Sequence, residues 1–311
     1  MDMADAREKQ TINATTFQEP LWKLAEVMAQ KVNREGPQYL NAPGYVAADL
    51  FMMIRHSVAT YNMLFYLNAD KRREDDCFWN NKYGVVTAQV VRSMIDCLYN
   101  ITAILENPAD NGPAYRKSGL KNRLRDIEAD EERYHGRPDW DEFNSERRKN
   151  LSLLIRRGGM TEAEISAAPS WPTLGTYLNP KKGGSLTPHQ SFLKTFTYHH
   201  WRQYSALAHG GLEAYIGDPP LGAYFIIDIL PHEERPKIEA QYAEFISRHV
   251  GRAATVLLCL VTEIQAFFRF EGADINNRIV TMWNALMEFF EAKELYKERY
   301  ELLMRAKHIL R

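Results

Sequence analysis

The sequence predicts an all-α protein, a single large multi-helix domain. Three observations predict it. Apolar residues recur at the 3.6-residue helical spacing along stretches from Thr15 to Ile309. Period-two alternation of Val, Ile and Thr is nearly absent, and only Ala223–Ile229 reads as a short strand. Glycines and prolines bound most of the periodic stretches, as at Gly36-Pro37 and Asn107-Pro108.

The elements follow in order. Residues 1–14 read as a flexible N-terminal tail, and residues 15–311 as the helical domain. Thr15 or Thr16 can cap a first helix that tolerates Pro20 in its first turn and stops before Gly36-Pro37. A Met- and aromatic-rich helix follows over about 45–67, then a strongly apolar one over about 80–106 that ends at Asn107-Pro108. Residues 108–188 read as an inserted helical hairpin and loop. The hairpin has polar helices at about 114–134 and 139–157, and a short helix opens at Thr161 with Glu164 in the capping-box position. The loop, 169–188, is rich in Pro and Gly and carries Lys181 and Lys182. A helix over about 189–208 stops at His209-Gly210-Gly211. Beyond Pro219-Pro220, long helices are expected over about 232–270 and 275–309.

Composition narrows the function classes. Lys plus Arg is 39 against 40 Asp plus Glu, so no overall basic field draws the chain to nucleic acid, and any such contact needs a local patch. The three cysteines, Cys77, Cys97 and Cys259, lack the number and spacing of a disulfide framework or zinc site. The charged N-terminus has no apolar signal region, and the most apolar run, Ala253–Val261, is too short to span a bilayer. A cytoplasmic protein without a membrane partner is the expectation. No metal and no cofactor is expected either: there is no P-loop, no dinucleotide glycine pattern and no His-Glu-x-x-His. Glu132-Arg-Tyr-His135 is a single Glu-x-x-His without the second copy that a di-iron bundle needs.

Two helices carry polar stripes. At 100° per residue, Leu193, Phe196, His200, Tyr204 and Leu207 share one face of the 189–208 helix. Tyr198, Arg202, Ser205 and His209 share the opposite one, with Arg202 and His209 two turns apart. On the 80–106 helix, Val90, Met94, Leu98, Ile101 and Leu105 are set against Gln89, Arg92, Asp96 and Asn100. That helix is so apolar that its stripe should be enclosed. Arg92 and Asp96 then pair with each other at i, i+4, or with another group, because an unpaired buried charge is costly. Neighbouring polar stripes are expected to face each other or a shared cavity. Arg116, Lys117, Lys121, Arg123 and Arg125 form a basic run that either contacts RNA phosphates or is a solvated helix face balanced by Glu128–Glu132.

The segment Arg202-Gln-Tyr-Ser-Ala-Leu-Ala-His209 resembles the motif of HEPN-domain proteins, an Arg, four to six residues, then His on the last core helix. With Arg92-Ser-Met-Ile-Asp96 on an earlier apolar helix, it also resembles a bacterial family of all-helical proteins. The resemblance covers roughly residues 45–270. It departs at Gln203, where HEPN ribonucleases usually carry Asn, Asp or His, and in the inserted helices at 114–157. The resemblance implies a HEPN-like helical bundle and metal-independent RNA cleavage at a homodimer interface, in a defence or toxin system. Arg202 and His209 would be catalytic, with Asp96 or Tyr204 orienting them. The apolar helices 45–67 and 250–270 would supply dimer surface. The alternative is a non-catalytic helical binding or scaffold protein that uses the same stripes for a ligand or partner.

Overall fold

The computed structural model describes residues 3–68, 84–179, 185–209, 222–224, 226–287 and 289–301. Helices dominate, and no strand occurs among the described residues. The first is α1 (Met3–Glu35). It passes through Thr15 and Thr16 without a break, because no Gly or Pro precedes Pro20 and the segment is rich in helix formers. A single turn, α2 (Pro37–Leu40), follows Gly36. Then come α3 (Tyr45–Asn68) and α4 (Gly84–Glu106), the two apolar helices expected there.

The centre is a bundle of α1, α3, α4 and a long helix, α11 (Arg235–Phe268), with α4 against α11 as the most extensive contact. From Val250 to Gln265 almost every side chain of α11 is buried. This helix is long and apolar enough to cross a membrane, yet 83% of its most apolar window is buried inside the protein. The surface that residues 250–270 were expected to offer a second copy is therefore largely used within the protomer. On α3, Met52 and Met63 remain exposed.

The insertion opens with α5 (Pro108–Arg133) and α6 (Pro138–Arg157), each with Pro in its first turn. The first starts earlier than the sequence suggested, since Pro108 begins a helix as readily as it ends one. Next comes α7 (Glu162–Ala167), capped by Thr161 and Glu164 in a reciprocal capping box as expected. The hairpin has its own small core of Leu120, Leu124, Ile127, Leu151, Ile155, Met160 and Ile165. Arg147–Asp130 (2.6 Å) and Arg148–Glu131 (2.6 Å) tie its two helices together. It joins the bundle where Gly112 lets α5 approach Val46 of α3: a Cβ there would sit 2.6 Å from a Val46 methyl.

After α8 (Leu174–Tyr177), the chain re-enters the bundle through α9 (Pro188–Leu193), a π-helical turn Lys194–Tyr198, and α10 (His199–Ala208). Thr187 and Gln190 form a second capping box. Gly210, Gly211 and Pro219-Pro220 lie outside the described residues, as do Cys77, Lys181 and Lys182.

Two expectations need correction. Residues 222–224 are helical and Ile227–Ile229 forms a 3-10 turn, so the strand is absent. An isolated strand has no partner for its backbone groups in an all-helical fold. The final helix is split into α12 (Ala273–Leu286) and α13 (Phe290–Leu295), followed by a π-helical turn Tyr296–Tyr300. Gly251 of α11 lies at the split; a Cβ on it would come within 2.4 Å of the Phe289 ring.

Candidate functional site

The α4 stripe is only partly enclosed: Gln89 is exposed, Arg92, Asp96 and Asn100 are half-buried, and α10 lies directly against α4. The residue that meets the stripe is Trp201. Its indole N–H donates to Asp96 Oδ1 at 2.8 Å, and the Arg92 guanidinium lies 5.6 Å from its ring centre. Arg92 and Asp96 therefore form no direct ion pair, and Arg92 Nε is buried without a partner. Burial raises the Asp96 carboxyl above its ordinary range, while the Trp201 hydrogen bond and the Arg92 charge pull it back. One turn on, Asn100 Oδ1 accepts from the Trp171 indole N–H at 2.9 Å. Asp96 and Asn100 are thus held by two tryptophans, 105 and 71 residues away in sequence.

Of the predicted inner face, Leu193 at the end of α9 and Tyr204 and Leu207 on α10 are buried. Tyr204 does not orient the Arg202–His209 pair. Its hydroxyl accepts from Arg252 Nη1 at 3.0 Å, and its ring lies 5.2 Å from that of His249. Asp96 does not orient the pair either, being held by Trp201. Tyr198 stacks on Trp201 at 6.2 Å, and Ser205 Oγ donates back to the Trp201 carbonyl at 2.8 Å. Arg202 and His209 are exposed, and neither side chain makes a hydrogen bond or ion pair among the described residues. His209 caps α10, its backbone N–H bonded to the Ser205 carbonyl at 3.1 Å.

No family model, curated protein or solved structure matches the chain. The site rests on its geometry alone.

The basic run divides. Arg116 pairs with Asp49 at 2.8 Å and lies over the Tyr45 ring at 4.7 Å; Lys117 approaches Glu164 at 3.8 Å; Lys121 donates to the Ala168 carbonyl. Arg123 and Arg125 are exposed.

Two buried polar groups escaped the sequence reading. His249 is fully buried, and its Nδ1–H donates to the Phe245 carbonyl at 2.7 Å, which leaves Nε2 without a hydrogen. Burial, with the nearby Arg252 charge, pushes it down to about 3, so this ring is neutral at pH 7. Glu263 accepts from Arg299 Nε (2.6 Å) and Nη2 (3.0 Å) and from the Tyr300 hydroxyl (2.8 Å), while Arg299 Nη2 also donates to His189 Nδ1 at 3.3 Å. Glu263, set in the apolar run of α11, was the visible signal, because a carboxylate there requires a cationic partner. Its partner, 36 residues on, carried no such signal.

Proposed function

We propose that the exposed Arg202–His209 pair is a metal-independent RNA-cleaving site of the HEPN kind, completed in a homodimer. One observation carries this reading. Among the described residues both side chains are exposed and without a side-chain partner, at a helix whose neighbouring residues, Trp201, Tyr204 and Leu207, are anchored in the core. A rigid helix presenting an unengaged arginine fork and imidazole suits phosphate recognition and proton transfer.

The chemistry follows from the two groups. His209 takes the proton from a ribose 2′-hydroxyl, whose oxygen attacks the adjacent phosphorus. The bond to the 5′-oxygen breaks, leaving a 2′,3′-cyclic phosphate. The second copy's histidine protonates the departing oxygen, and Arg202 holds the charge that builds on the phosphoryl oxygens.

Loss of the imidazole in His209→Ala should lower cleavage by about 10²–10⁴-fold. Arg202→Ala should do similar damage, with partial rescue in Arg202→Lys because the bidentate fork is lost. Both variants should melt like the wild type, since neither side chain is used internally. Cleavage unchanged in His209→Ala sinks the reading.

A second reading, a non-catalytic helical binding or scaffold protein, is favoured by the way the α4 stripe is held. Trp201 and Trp171 occupy Asp96 and Asn100, so these groups work as framework rather than as a reactive surface.

A further inference from the structure

Away from α10, a groove of about 550 Å³ runs between α3, α5 and the segment before α8. Its aromatic wall is rigid. The Trp171 ring is fixed by its N–H to Asn100 and by its backbone N–H to Ser118 Oγ at 2.7 Å, and Tyr115 meets it edge-on at 5.4 Å. At the back lies the Asp49–Arg116 ion pair. Asp49 is 7% exposed, and both its Oδ2 and Arg116 Nε lack a hydrogen-bond partner. Both atoms are buried, so this acceptor and donor reach the groove only when the pair opens.

The floor is Gly119, in the interior of α5, where a Cβ would meet nothing within 4 Å. Helix interiors disfavour glycine, and no neighbour's crowding requires it here. The open space above it is the groove itself. Asn122 and Arg123, three and four residues on, share the face with Gly119 and are exposed. Arg123 makes no ion pair among the described residues.

We propose that this groove binds a nucleobase of single-stranded RNA. The base lies against Trp171 and presents its N–H and C=O edge to Asp49 and Arg116, and its phosphate meets Arg123. The charges of the ion pair cancel, so the back of the groove selects a flat, neutral, polar ring over a bare anion. An aromatic wall serves every base, because each has a π-face. Asn122 can both donate and accept along a base edge. Seating the edge requires the ion pair to open toward the groove, and the Tyr45 ring, over which Arg116 already lies at 4.7 Å, can hold the guanidinium as it parts from Asp49.

The choice of ligand rests on the RNA reading above; the place rests on the groove. Calorimetric titration of the full chain with AMP, GMP, CMP and UMP tests it. At least one should bind with Kd below about 1 mM. Gly119→Leu fills the groove and should weaken binding by about tenfold or more, while its unfolding midpoint equals or exceeds the wild type's, since leucine is the better helix former. Arg123→Ala should weaken the nucleotide and leave the matching nucleoside unchanged. His209→Ala should bind as the wild type does. No binding of any of the four at about 5 mM, a weakness beyond any useful site, overturns the proposal, as does full-strength binding by Gly119→Leu. RNA cleavage through His209 without mononucleotide binding removes the groove alone. Binding by a protein that cleaves no RNA upholds the groove and removes the ribonuclease reading.

Discussion

Replacing Trp201 by phenylalanine tests how α10 is held. The change keeps a ring beside Arg92 but removes the N–H that reaches Asp96 at 2.8 Å. A hydrogen bond to a charged group contributes about 1.5–3 kcal/mol. The smaller ring adds a packing loss, so the variant should be about 2–4 kcal/mol less stable at pH 7. The pH dependence is more diagnostic. Asp96 already titrates above its ordinary 3.8 in the folded protein because it is buried. An acid raised in this way favours the fold most when protonated, and that contribution is lost as pH rises through the folded value. The indole N–H is one of the groups that limit the rise, so removing it pushes the folded value higher. The stability gap between variant and wild type should therefore be small near pH 3.8 and widen as pH rises through the wild-type Asp96 titration. Denaturant unfolding followed by circular dichroism at acid and neutral pH gives both numbers. A gap that is constant with pH, or larger in acid, refutes the assigned hydrogen bond.

Two further outcomes follow from the buried groups. His249 is held down to about 3 against an ordinary 6.5. The unfolded chain therefore binds one more proton between these values, and stability falls by about 1.4 kcal/mol per unit as pH drops through that window. His249→Phe should flatten the acid side of the stability profile, and an unchanged slope counts against the burial of this ring. Arg299→Met leaves Glu263 buried without its cation and should cost about 3–5 kcal/mol in chemical denaturation; a loss below about 1 kcal/mol, the worth of a surface pair, would mean that the pair is solvated.

The helical fold was legible because its signals are local. The stops at Gly36-Pro37 and Asn107-Pro108, the Thr161–Glu164 capping box and the apolar face of α4 each lie within a few residues. The inner face was legible at Leu193 on α9 and at Tyr204 and Leu207 on α10, even though a π-helical turn interrupts the 100° count between them. The partial burial of Asp96 and Asn100 could also be read, because so apolar a helix is covered by its neighbours on most sides. Their partners could not. Trp201 and Trp171 come from distant segments, and nothing in their own neighbourhoods marks which carboxylate or amide they meet. The division of the basic run was hidden for the same reason: Asp49 takes Arg116 from 67 residues away. The split between Leu286 and Phe290 was missed because no Gly or Pro marks it; the close approach of Phe289 to Gly251 there comes from a residue far off in sequence.

The most direct test of the ribonuclease reading is the chemistry of the RNA ends. Purified wild-type protein is incubated with single-stranded RNAs of varied sequence in EDTA, beside His209→Ala, and the product termini are identified by mass spectrometry. The account predicts 2′,3′-cyclic phosphate and 5′-hydroxyl ends from the wild type and little product from the variant. Intact RNA in every wild-type reaction, or ends that carry a 5′-phosphate, would contradict it.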